Sequence, residues 1–212
     1  MRQLFLLILI SALLFRCPTA FAEDTTTQPA APTPTSAYYV PPAQLNAQLQ
    51  VTDLGFAGVF ALFRNATASF SFNEGSKSIS HLRIALDTTS LMSNNADALR
   101  DLINLLSTTA DSEIALTAPD SVAFADGKAE LKGNLTLRGV NKPVTIEATL
   151  NRAGKSPVAG GMWSSEGDAV GLSLKTSFKR ADFGLGDNPN AETPGRFGDS
   201  INLQMEMQGI KQ

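Results

Sequence analysis

From Ala43 onward the chain keeps returning to one pattern: an apolar residue, a polar one, and an apolar one again. It runs through "AQLNAQLQV" (Ala43 to Val51), "FAGVFALF" (Phe56 to Phe63), "ATASFSF" (Ala66 to Phe72) and "SHLRIALD" (Ser80 to Asp87). It resumes in "SEIALTA", "AELKGNLTLR", "VTIEATL", "AVGLSLKTSF" and "SINLQMEM". Successive side chains of a strand point to opposite faces, so this period marks strands with one buried side. Gly, Asn and Asp clusters separate most of the runs, which favours hairpins over parallel βαβ units. One segment departs from the pattern. In "NNADALRDLINLLS", Asn94 to Ser107, Leu99, Ile103 and Leu106 fall at helical spacing behind an Asn or Asp cap. The expectation is an all-β antiparallel meander of about eight or more strands, with one amphipathic helix across a sheet or capping a barrel.

Many antiparallel strands expose edges unless the sheet closes on itself. A barrel of about eight strands is either filled by its own side chains or holds one small ligand. Periodicity alone does not choose between the two, and a packed interior is the commoner use of such side chains.

The charge balance removes several classes of function. Charged residues make up 17% of the chain and the net charge is -3, with Lys and Arg scattered throughout. That leaves neither the basic stripe that nucleic acid needs nor a polybasic patch for anionic lipid.

The N-terminus reads as a secretory signal. It has a positive start, an apolar run from Leu4 to Phe15 and a small-residue site at Ala20 to Ala22. The run is shorter than the roughly 20 residues of a spanning helix, so cleavage after Ala22 and no stable membrane insertion are expected. Residues 23–37, rich in Thr, Pro and Ala, read as a spacer, and one domain from Tyr38 to Gln212 follows. The single cysteine is Cys17, inside the signal, so the exported part holds no disulfide, thiol nucleophile or thiolate metal site.

Catalytic constellations are missing too. His81 is the only histidine, and it sits in a strand, where a surface or hydrogen-bonded role is expected. Neither a triad nor a multi-histidine metal site can be assembled around it. No nucleophile elbow, dinucleotide fingerprint or phosphate loop occurs. The oxygen-rich stretch Gly186 to Asp199 matches no calcium-loop spacing, and is read as a long hairpin connection. Arg180 and Asp182 are read as fixing a strand end, with Phe183 in the core. Met162 and Trp163 follow two glycines and either fold over an apolar opening or pack incidentally. Asp53, Asp101 and Asp182 are the only carboxylates considered for catalysis, and no enzymatic activity, cofactor or metal is expected.

The segment "LKGNLTLRGVNKPVTIEATL", Leu131 to Leu150, resembles the central signature of the YceI-like, polyisoprenoid-binding family. Gly133, Leu135, Thr136, Gly139, Val140, Lys142, Pro143 and Val144 match it. "DLGFAGVFALF" (Asp53 to Phe63), "LRDL" (Leu99 to Leu102) and "KRADFG" (Lys179 to Gly184) are similar to further family motifs in the same order. The resemblance implies an extended, lipocalin-like antiparallel barrel of about eight strands with a helix, exported to the periplasm, with an isoprenoid or quinone tail in its interior. The partner is then a long apolar small molecule, and a homodimer stays open. On this reading the ligand-facing residues are Phe56, Phe60, Phe70, Phe72, Leu116, Leu135, Leu137, Ile146, Leu172, Leu174, Phe178, Leu203 and Met205. Arg100, Arg138 and Lys142 are the cations available to a head group.

Overall fold

The computed structural model describes residues 34–107, 112–155, 168–186 and 195–212. Residues 1–33, which include the stretch read as a signal and most of that read as a spacer, lie outside the described residues. So do Met162, Trp163 and residues 187–194 of the oxygen-rich loop. In chain order the strands are β1 (Thr35–Val40), β2 (Leu45–Asp53), β3 (Ala57–Phe63), β4 (Ala66–Asn73), β5 (Ser78–Asp87) and β6 (Leu91–Met92). After helix α1 (Ala96–Leu106) come β7 (Glu113–Ala118), β8 (Val122–Ala123), β9 (Lys128–Leu137), β10 (Val140–Lys155), β11 (Asp168–Lys179) and β12 (Phe197–Lys211).

The named pairings are antiparallel, and they close. β1 pairs along its length with β4 and also meets the end of β12, through Tyr38 opposite Lys211 and Tyr39 opposite Ile210. The ring β1-β4-β5-β7-β9-β10-β11-β12 is therefore a barrel, as expected. β2 continues β1 beyond a 3-10 turn at Pro42–Gln44, and β3 leads into β4 through Arg64 and Asn65, so the two form one long bent hairpin. β1 starts within the stretch read as spacer, because Thr35, Ser36 and Ala37 stand opposite Asn73, Phe72 and Ser71.

Alternation sets the inside. On β2 it is Leu45, Ala47, Leu49 and Val51; on β9, Leu131, Leu135 and Leu137; on β12, Ile201, Leu203, Met205 and Met207. β5 needs a correction to keep its parity. Ile79 and Ser80 are both buried, His81 takes a left-handed φ of 52°, and the register against β4 slips between Ser69 and Ser71. This bulge turns the imidazole outward, 3.1 Å from Ser80 Oγ. The β9–β10 connection is a two-residue turn, with Arg138 at φ 52° and Gly139 at φ 75°. Both central residues are left-handed, the geometry that matches strand twist in tight hairpins.

Pro143 lies inside β10. It faces Asn134 of β9, and the ladder to β11 begins only at Ile146 opposite Thr176. From Val140 to Thr145 the strand is paired on one side only, where a residue without an N–H is tolerated.

α1 begins two residues inside the stretch expected. Asn95 Oδ1 accepts from the Ala98 N–H at 3.0 Å, and Asp97 lies in the first turn, where the helix dipole favours an anion. The buried face is Ala98, Leu102, Leu105 and Leu106, with Leu99 and Ile103 on its flanks.

Candidate ligand-binding site

Among the described residues the hydrophobic core lines the barrel interior. Phe70, Phe72, Leu116, Leu135, Leu137, Ile146, Leu172, Leu174, Phe178, Leu203 and Met205 all face it, and each is 0–5% exposed. Two of the expected residues do not belong there. Phe56 is 93% exposed and Phe60 51%. Leu54 and Gly55 form a left-handed turn, Phe56 closes it, and β3 starts only at Ala57, so Val59, Ala61 and Phe63 point inward and Phe60 outward. The sequence "GFAGVFALF" offers apolar residues in both registers, and only the register against β2, with Asp53 opposite Ala57, selects one. Sequence reasoning also missed Tyr38, Leu49, Leu102 and Leu131, all fully buried. The strict alternation of β2 and β9 was the signal for Leu49 and Leu131.

One end of the barrel is covered by α1, which a charged clamp holds. Arg196, just ahead of β12, donates from Nε to Asp53 Oδ1 at 2.8 Å and from Nη2 to Asp53 Oδ2 at 3.0 Å. Its Nη1 reaches Asp101 Oδ2 on α1 at 3.1 Å. The three side chains are only 12%, 15% and 10% exposed, respectively. The hydrogen bonds to Asp53, and then the one to Asp101, raise the Arg196 pKa well above its ordinary value despite burial, so the group stays cationic. Arg196 also lies over the Phe197 ring, 5.7 Å from its centroid. Asp53 and Asp101, two of the three candidate catalytic carboxylates, are thus the two arms that tie the helix to the end of β2. Arg138 helps, with Nη1 donating to the Leu105 carbonyl at 3.3 Å.

The far end is filled by rings. Tyr38 stacks on Phe70 at 5.4 Å and meets Phe72 edge-on at 6.3 Å, while Phe124 leans on Phe72. Gly209 makes room for them: a Cβ there would lie 2.5 Å from Phe70 Cζ and 3.1 Å from Tyr38 Cβ. The Tyr38 hydroxyl is buried without a hydrogen-bond partner among the described residues. Burial first, and Glu74 second, push its pKa upward, against the pull of Lys211.

Between these ends the wall has a seam where β10 and β11 part. A cleft of about 630 Å³ opens over it, lined by Lys142, Val144, Thr145, Phe178, Asp182, Phe183 and Leu203, among others. Thr176 is the buried polar residue beside it, and its hydroxyl donates to the Thr145 carbonyl at 2.8 Å where the ladder ends. Phe183, carried by a 3-10 turn at Arg180–Phe183, packs against Phe178 at 5.1 Å and closes the notch from below. Arg180 Nε donates to the Gly198 carbonyl at 3.1 Å and so fixes the strand end, and Phe183 is buried in the core, both as expected, whereas Asp182 lines the cleft. Lys142 shares the interior-side register of Val144 and Ile146 yet is exposed in this cleft, and makes no ion pair with described residues. Arg100 pairs instead with Asp97 on the outer face of α1.

An antiparallel barrel closed through its first and last strands, apolar within and capped by a helix at one end, defines the class of protein. The sequence profile of the YceI-like domain matches residues 38–209, and the chain belongs to that family. A UPF0312 protein of Pseudomonas fluorescens (strain SBW25) is 30% identical over 169 residues, covering 77% of this chain and 79% of the relative. Another from Vibrio campbellii is 29% identical over 172 residues, covering 80% and 83%. Among solved structures, Burkholderia cenocepacia BcnA superposes with a TM-score of 0.62 at 14% identity, over 80% of this chain and 98% of its own. A polyisoprenoid binding domain from Saccharophagus degradans, implicated in plant cell wall breakdown, superposes with a TM-score of 0.57 at 11% identity, over 84% and 100%. At those identities the structural likenesses speak for the fold.

Proposed function

We propose that this protein is exported to the periplasm, where it sequesters or carries an isoprenoid, a quinone or another long apolar molecule inside its barrel. The observation that carries this reading is the continuous apolar interior of the closed barrel, built from inward positions of every strand of the ring. Such a surface holds its ligand by burial, at about 0.8 kcal/mol for each methylene removed from water, less the cost of ordering the chain. No catalytic group is required for that. The fold shared with a polyisoprenoid binding domain supports the same ligand class. Of the two lysines that line the cleft, Lys142 and Lys175, Lys142 is the one placed to meet an anionic head group, because it shares the interior-side register of Val144 and Ile146 while staying in water.

The interior side chains pack against one another, and this favours a second reading: a non-catalytic envelope interaction module with a filled barrel. The two differ in what happens when a ligand arrives. Leu and Met side chains must spread along the barrel axis to admit a prenyl chain, and the thioethers of Met205 and Met207 suit such repacking.

Native mass spectrometry and solvent extraction of protein purified from its own cells test the first reading. A copurifying lipid of defined mass, and a melting temperature that rises with added polyprenyl phosphate or ubiquinone, are the expected results. Lipid-free protein whose melting temperature neither compound moves leaves the filled module as the function. Fractionation of the same cells checks export.

A further inference from the structure

The outward face of β3 does not look like the rest of the barrel's surface. Leu54 is 50% exposed, Phe56 93%, Phe60 51%, Leu62 47% and Met92 39%. Leu62 stands opposite Met92 across the β3–β6 pairing, while Leu54 and Phe56 flank the turn at the other end of β3. From Leu54 to Phe63 the chain carries no charge. Beside this stripe lie uncharged, hydrogen-bonding side chains: Gln48 opposite Leu62, Gln50 opposite Phe60 and Thr52 opposite Gly58. The next strand over continues them with Asn202 and Gln204.

We propose that this face binds the same face of a second copy of the chain, forming a symmetric dimer. The area fits. The five apolar side chains offer roughly 500 Å² of accessible surface, taking about 200 Å² for a fully exposed ring. A stable interface buries about 800 Å² on each partner, a little over half of it apolar. The apolar stripe supplies that share, and the neighbouring amides and hydroxyl supply a polar rim. The chemistry fits as well. A two-fold axis sets each patch against itself, which a charged surface resists and an uncharged one accepts. A bilayer is the less suitable occupant. Arg64, the cation nearest the stripe in sequence, already donates to Met92 Sδ at 2.8 Å, and the net charge of -3 opposes anionic lipid. Gln48, Gln50, Asn202 and Gln204 also line the cleft at the seam, so the dimer's polar rim borders that cleft, while the apolar stripe on β3 lies outside it.

Sedimentation equilibrium of the purified protein over a wide concentration range, with Phe56→Glu and Phe60→Glu variants alongside, tests this. Wild type is expected to move from monomer to dimer and stop there. Both variants are expected to stay monomeric, with unchanged circular dichroism and melting temperature. Phe56 has so little cover that its replacement leaves folding intact even if Phe60→Glu disturbs β3. A wild-type monomer at every concentration, a dimer that survives both substitutions, or assembly beyond two copies overturns the proposal. So does a monomer that floats with phosphatidylethanolamine–phosphatidylglycerol vesicles and loses that binding in Phe56→Glu, which assigns the face to the membrane.

Discussion

Arg196→Met should loosen the helix from the barrel. The substitution keeps much of the side-chain volume but removes a guanidinium that makes two hydrogen bonds to Asp53 and one to Asp101. Two carboxylates, 15% and 10% exposed, are then left facing each other without a cation. Breaking a fully buried ion pair by removing one partner costs about 3–5 kcal/mol, and the residual water contact places this case near the lower bound, at about 3 kcal/mol. For a domain of this size that corresponds to a melting temperature lower by roughly 6–12 °C. Urea denaturation gives the free energy, and amide hydrogen exchange shows whether α1 opens first. The decisive comparison is the same substitution in an Asp53→Asn, Asp101→Asn background. With no carboxylate left to strand, Arg196→Met should cost under about 1 kcal/mol there, a non-additivity that reports the coupling. If the loss is equal in both backgrounds, or below about 0.5 kcal/mol in wild type, the clamp is not what holds the helix.

Further outcomes follow from the same structure. Gly209→Ala places a methyl against the stacked Phe70 ring and should cost about 1–3 kcal/mol in thermal unfolding, much of it recovered by adding Phe70→Leu. The Asp87 carboxylate accepts from the Thr89 hydroxyl, from the Thr89 N–H and from Asn65, which holds its pKa below the ordinary value. A depressed carboxylate favours the fold above the unfolded value and loses that contribution as pH falls through the folded one. Asp87→Asn should therefore flatten the acid side of a melting-temperature profile and leave neutral pH less stable than wild type. Lys142→Gln should weaken retention of a polyprenyl phosphate while sparing an uncharged quinone, measured by extraction and mass spectrometry, because only the former presents an anion to the seam.

Much of the architecture is legible without coordinates, because period two states both that a segment is a strand and which side is buried. The helix is legible from its cap and spacing. The candidate interior was read correctly where one register alone is apolar, as in β9, where Leu135 and Leu137 alternate with Asn134 and Thr136. It was misread at Phe56 and Phe60, where β3 is apolar in both registers and the turn at Leu54–Gly55 sets the parity. The role of Asp53 and Asp101 was illegible for another reason: Arg196 lies 143 residues beyond the first and 95 beyond the second, and no local pattern joins them.

By itself, then, the sequence determined strands, turns, one helix and the family signature, since each depends on interactions within a few residues. Closure of the ring through β1 and β12, the parting of β10 from β11 that exposes Lys142, and the clamp on α1 were decided by the tertiary structure. These depend on register and on pairs of residues distant in the chain. A single-residue slip reverses every side chain of a strand, so only the folded barrel shows which apolar residues form its lining and which its surface.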